Sequence, residues 1–174
     1  MPTSATVLQA PPTGRYVIND SASTVTFTTK HMFGLGKVRG RFTVTGGVIT
    51  VADQVDDSTV DAEISASSFS TGNFLRDFAV KSPLFLNTRR HPASSFRARS
   101  IQREADNCIV SGTLTVKGES APVDLIVTDI DVEGTSVVFS AKGLIDRYAL
   151  GVTMMRGMAA RRLTVDISVH TTRV

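Results

Sequence analysis

The chain has 174 residues, 41% of them hydrophobic, and its 19 Lys and Arg against 16 Asp and Glu leave a formal charge of +3. That length and apolar content suit one domain with a sizeable core, and a single cysteine, Cys108, excludes an internal disulfide and a thiolate metal cluster. The basic excess is mild and has little aromatic interleaving beyond Phe96, no RNP-like strand pair and no zinc-finger spacing, so no specific nucleic-acid partner is expected.

Residues 1–13, with Pro2, Pro11 and Pro12 and no alternation, read as a flexible leader before one domain over 14–174. There is no basic stretch followed by an apolar signal core, and no apolar run long enough to cross a bilayer, which predicts a cytoplasmic protein. Strand patterning starts at Tyr16-Val17-Ile18, turns at Asn19-Asp20-Ser21 and resumes with Val25, Phe27 and Thr29 in one phase. Val38, Gly40, Phe42 and Val44 share the next face, and Gly46-Gly47 marks a bulge or tight bend of the sort a small barrel needs. Val60, Ala62, Ile64 and Ala66 alternate again.

From Thr71 to Phe85 the period changes from two to about 3.6. Thr71-Gly72-Asn73 supplies capping and turn residues, and Phe74, Leu75, Phe78 and Ala79 recur at helical spacing, so this segment is predicted to be a short helix that caps one end of a curved sheet. Strand patterning returns at Ser95 to Gln102, with Phe96, Ala98 and Ser100 opposite Arg97, Arg99 and Ile101. The turn Glu104 to Asn107 leads into Cys108, Val110, Gly112, Leu114 and Val116 on one side, with Cys108 read as a buried thiol. Val123, Leu125 and Val127 follow, then SVVFSAKGLI, and finally Leu163, Val165, Ile167 and Val169 pointing inward. About eight strands joined mostly by short turns, without a helix series, predict an antiparallel all-β fold; periodicity leaves sandwich and barrel open, and the long strands with internal glycines tilt toward a barrel.

Candidate chemistry is sparse. His31, His91 and His170 match no compact metal motif, no GxSxG elbow is present, and Gly34-Leu35-Gly36-Lys37 fits a hairpin connection better than a phosphate loop, so neither cofactor, metal nor catalytic residue is assigned. His31 reads either as a hydrogen-bonded strand end or as a donor at the inner end of a pocket. Two charged pairs, Arg76-Asp77 in the helix and Asp146-Arg147 after a strand, read as rim ion pairs that lock lid to barrel, with direct head-group binding as the alternative. Met154, Met155 and Met158 cluster between strands, where flexible thioethers either complete a core or line an irregular apolar site.

Taken in order, these residues resemble the YceI-like family, bacterial polyisoprenoid-binding proteins with an extended lipocalin-like barrel. The resemblance rests on Tyr16-Val17-Ile18 with Asp20, Lys30-His31-Met32, Val38-Arg39-Gly40-Arg41-Phe42 and, most specifically, Thr71-Gly72-Asn73 with Arg76-Asp77, then Lys81-Ser82-Pro83 and Phe85. His91-Pro92, Gly112 to Gly118 and Asp146-Arg147 with Gly151 continue it. Three positions depart from the usual pattern: Tyr16 replaces a frequent tryptophan, Ala22 a common histidine, and Ala160-Arg161-Arg162 a small-acidic turn. The resemblance implies an eight-stranded antiparallel barrel with a short helical insertion, holding a long isoprenoid or related amphiphilic lipid for transport, storage or sequestration without catalysis. The expected ligand contacts are Phe27, His31, Phe42, Phe74, Phe78, Phe85, Met154 and Met155; transient membrane contact and a homodimer are compatible with that role. An enzyme acting on a hydrophobic substrate through His31, Arg76 and Asp77, and a barrel with a filled interior, are the competing readings.

Overall fold

In the computed structural model, which describes residues 8–31, 36–104, 107–154 and 160–174 and only the backbone of His31, the alternating segments form nine strands. They are β1 (Gly14–Ile18), β2 (Thr24–His31), β3 (Gly36–Val51), β4 (Thr59–Ser70), β5 (Ala93–Glu104), β6 (Asn107–Val116), β7 (Glu119–Glu133), β8 (Ser136–Asp146) and β9 (Arg162–Arg173). A single 3-10 turn, Val55–Asp57, joins β3 to β4, and the helix α1 (Phe74–Lys81) lies between β4 and β5.

All pairings are antiparallel, and the sheet runs β3-β2-β9-β8-β7-β6-β5-β4 before β4 returns to β3, closing a barrel without a free edge. Nine strands fill eight positions because β1 and β2 share one stave: both pair with β3 and β9, β1 through Gly14↔Val51 and Tyr16↔Arg173, β2 through Thr24↔Thr43 and Thr24↔Ser168. Ser23 holds the break between them. Its hydroxyl donates to the Asn19 carbonyl at 2.7 Å and accepts from the His170 amide at 3.0 Å, while the Asn19 amide donates to the His170 carbonyl at 2.7 Å. The Ser23 hydroxyl and the Asn19 and His170 main-chain groups at this corner thus satisfy one another, as burial demands.

Bulges curve the wall. Register slips at Val44/Gly46, at Ala98/Ser100 and at Val127/Asp129. The second slip corrects the phase expected for β5: Arg99 is the extra residue, so Ser100 faces solvent while Ile101 is buried at 7% exposure. The largest irregularity follows Ser65, where β3 pairs Thr43 with Ser65 but Arg41 with Ser70. Residues between them loop out of the ladder, held by Ser68, whose hydroxyl accepts from the Thr43 amide at 2.8 Å and donates to the Ser65 carbonyl at 2.6 Å.

The connections sort into two ends. One end gathers the N-terminal segment, the 3-10 turn and the β5–β6 and β7–β8 turns; the other gathers α1, the β6–β7 turn at Lys117-Gly118 and the β8–β9 connection. We call these the tail end and the lid end. At the tail end, Leu8 is buried, the Tyr16 hydroxyl donates to the Pro12 carbonyl at 2.6 Å, and Arg173 donates to the Thr13 carbonyl. The described part of the expected leader therefore packs across the barrel opening rather than hanging from it.

Candidate functional site: an apolar barrel cavity

Strand alternation sends one set of side chains into the barrel, and they do not fill it. A cavity of about 680 Å³ runs along the interior, within the roughly 300–1,000 Å³ usual for small-molecule sites. At the tail end it is lined by Leu8, Pro11, Val55 and Arg103; midway by Val110, Leu125, Ala141 and Ile167; at the lid end by Lys30, Arg76, Val80, Phe85 and Arg147.

Its shape depends on where the large rings lie. Gly40 of β3 sits opposite Phe27 of β2, and a Cβ at position 40 would come within 2.4 Å of the Phe27 ring. Gly112 of β6 plays the same part for Phe96, whose ring would meet a Cβ there at 2.5 Å. The tip of each ring rests over a stretch of wall that carries no side chain. Phe27, Phe42 and Phe69 form one aromatic cluster with centroids 5.3 to 5.6 Å apart. Phe69 enters it because the irregularity in β4 reverses its facing; simple alternation from Ile64 and Ala66 would place it outside.

The lid helix is tied down at its first turn. Asn73 caps it by accepting from the Arg76 amide at 3.0 Å. Asp77 turns back to the end of β4 and accepts from the Thr71 amide and, at 2.6 Å, from the Thr71 hydroxyl. Arg76 donates to the same Thr71 hydroxyl at 3.5 Å and lines the cavity. The two residues expected as one pair thus meet at Thr71, and of the two only Arg76 borders the cavity.

The second expected pair is also divided. Asp146 bonds Arg161, whose Nη2 lies 2.7 Å from its carboxylate; this bond, helped by the Tyr148 amide, holds the Asp146 carboxyl at about 2, below its usual range, and pushes Arg161 up. Arg147 is 7% exposed and spends its guanidinium on main-chain carbonyls: Ala160 at 2.8 Å, Val152 at 2.8 Å and Met154 at 2.7 Å. A buried cation solvated this way holds Val152, Met154 and Ala160 around one guanidinium at the cavity wall. Its neighbour Tyr148 lies between two cations, with Arg147 4.9 Å and Arg161 5.1 Å from its ring centre.

Of the ligand contacts expected from sequence, Phe27, Phe42 and Phe85 line the cavity. Phe74 and Phe78 do not: they are 80% and 71% exposed on the outer side of α1. Met154 is 40% exposed and gives the cavity no surface, while Met155 and the His31 side chain lie outside the described residues. Phe69, Phe96, Lys30 and Arg103 line the cavity and are not among the ligand contacts expected from sequence. Arg103, an exposed residue, is turned toward the cavity mouth by the same slip that buries Ile101, a signal alternation cannot carry. Cys108, paired across the ladder with Arg103, also lines the cavity, and burial pushes its thiol up against the lowering influence of Arg103. Among the described residues, no group of three or more His, Cys, Asp or Glu is placed to hold a metal ion.

A closed antiparallel barrel with one short helix and a long apolar interior defines a lipocalin-like fold. Two solved structures share it: BcnA of Burkholderia cenocepacia superposes with a TM-score of 0.77 at 19% identity, covering 89% of this chain and 99% of that one. A polyisoprenoid-binding domain from Saccharophagus degradans, implicated in plant cell wall breakdown, superposes with a TM-score of 0.70 at 16% identity, covering 91% and 98%. The profile of the YceI-like domain matches residues 16–172, and the chain belongs to that family. Protein YceI of Salmonella arizonae is 28% identical over 152 residues, which span 84% of this chain and 79% of the relative.

Proposed function

We propose that this protein binds one long isoprenoid or related amphiphilic lipid inside the barrel and carries, stores or sequesters it without transforming it. The observation behind this reading is the continuous apolar cavity of about 680 Å³, which reaches from Leu8 to the inner face of α1. Each Å² of tail surface withdrawn from water there contributes roughly 25 cal/mol, so a polyprenyl chain needs no covalent or metal bond to be held. The charged side chains at the lining are Lys30, Arg76, Arg103 and Arg147, with no carboxylate among the described lining residues. That asymmetry suits a cargo whose polar end is an acceptor or an anion, with Arg76 under the lid as its partner because the Arg147 guanidinium already serves carbonyls.

Native mass spectrometry of the protein purified from its source organism tests this directly. The expected result is a retained apolar ligand on the wild type and none on Ala141→Trp, which places an indole midway along the cavity. A wild-type protein that carries nothing and fails to take up polyprenyl lipids from detergent solution overturns the proposal. A ligand recovered in chemically altered form would favour an enzyme.

A further inference from the structure

The lid helix has its apolar side turned the wrong way for a helix covering an apolar cavity. Arg76, Ala79 and Val80 face the cavity, whereas Phe74, Leu75 and Phe78 are 80%, 77% and 71% exposed, and Leu84 just beyond the helix is 62% exposed. Phe74 and Phe78, one turn apart, stack with ring centres 6.4 Å apart, forming an exposed ridge. Monomeric soluble proteins seldom leave four large apolar side chains contiguous at a surface, and an outward apolar helix face of this kind marks an interaction site.

Charge identifies the occupant. Lys81 lies in the last turn of the same helix, Arg89 and Arg90 are exposed in the turn that follows it, and the Lys117 ammonium reaches the Pro83 carbonyl at 3.4 Å beside Leu84. The carboxylates at this end are mostly committed: Asp77 to Thr71 and Asp146 to Arg161, leaving Glu119 exposed. The tail end is acidic on balance, with Asp53, Asp56 and Asp57 between β3 and β4 and Glu104 and Glu133 at the ends of β5 and β7, against Arg15, Arg103 and Arg173. We infer that the lid end docks on an anionic lipid bilayer, with Phe74, Leu75, Phe78 and Leu84 inserted at the headgroup boundary and the basic rim on the lipid phosphates. Large apolar side chains flanked by Lys and Arg are what an interfacial helix requires, and a molecule with one basic and one acidic end is turned lid-first by a negative surface. A second copy of the chain on the same ridge would bring two basic rims together, which charge complementarity disfavours. The docking gives the barrel its place of loading and release, and to that extent it rests on the lipid-binding reading above.

Flotation with phosphatidylcholine vesicles, with and without phosphatidylglycerol, tests the inference on the full chain. The wild type is expected to float with the phosphatidylglycerol vesicles and to be released by salt. Phe74→Ser with Phe78→Ser is expected to lower the bound fraction by at least about tenfold, since each exchange removes a full aromatic side chain from the apolar phase. Lys81→Gln with Lys117→Gln is expected to weaken binding to the anionic vesicles alone. The serine variant should keep its cavity ligand and its thermal midpoint, whereas Ala141→Trp should lose ligand yet still float, so failure of docking and failure of lipid binding are told apart. Wild-type protein that stays with the aqueous phase, or a serine variant that floats equally well, overturns the inference. So does a wild-type dimer that the serine exchanges split while vesicle binding is absent, because the ridge would then be a self-interface.

Discussion

At position 40 the barrel wall has no room for a side chain. With glycine there, the Phe27 ring lies on the β3 wall; a Cβ would stand 2.4 Å from that ring and 2.7 Å from the Ser70 carbonyl, so both the ring and the backbone must move. Gly40→Val is expected to cost about 1–3 kcal/mol in urea unfolding through overpacking, and to reduce lipid retention by driving the ring across the cavity. A variant with unchanged retention would show that the cargo does not pass this point. Asp146 gives a second test at this scale. Its carboxyl is held at about 2 by Arg161, so the stabilisation is complete above the unfolded value of 3.8 and is lost as pH falls through the folded one. Asp146→Asn is expected to lower the thermal midpoint near neutrality, where the pair is complete, and to remove its share of the fall between about pH 4 and pH 2, so that variant and wild type converge at the acid end.

At the scale of elements, the lid is a short helix tied at its first turn by side-chain bonds to Thr71, the residue that follows β4. Removing the carboxylate in Asp77→Ala unpins the helix from Thr71 and is expected to cost about 1–2 kcal/mol, with faster ligand exchange in a stopped-flow displacement assay. Equal loss of stability without faster exchange would make Asp77 a fold-stabilising residue and not a latch. The sequence carried the helix plainly, because its period breaks that of the surrounding strands and Asn73 sits at the cap. It did not carry which way the helix faces. Phe74 and Phe78 satisfy the spacing of a buried stripe, and only the position of Thr71 and the turn of Asp77 toward it rotate that stripe outward. The strand interior was legible in the same partial way. Val110, Leu114, Val165 and Val169 follow strict alternation and line the cavity, whereas Ile101, Arg103 and Phe69 lie beyond register slips that shift the phase without leaving a mark in the residue pattern.

For the molecule as a whole, the cavity and its one thiol offer a measure of occupancy. Cys108 lines the interior and its thiol is pushed up by burial, so reaction with a small maleimide is expected to be slow and to become slower still when ligand is loaded. Equal labelling rates with and without ligand would place the cargo away from the tail half. The all-β class and the barrel preference could be drawn from strand count and glycine placement, but closure could not, because it depends on β3 meeting β4 and on two short segments sharing one stave.

That shared stave ties the fold to the order in which the chain is made. β1 and β2 lie between β3 and β9, so the first stave has only one neighbour until the ninth strand has been synthesised. A chain still emerging from the ribosome can form the β3 to β8 succession of hairpins, yet it remains an open trough with an apolar hollow and two raw edges. Folding should therefore be limited by a single late, long-range event, in the millisecond-to-second range of such topologies. Until β9 zips the seam, there is a concave greasy surface but no vessel.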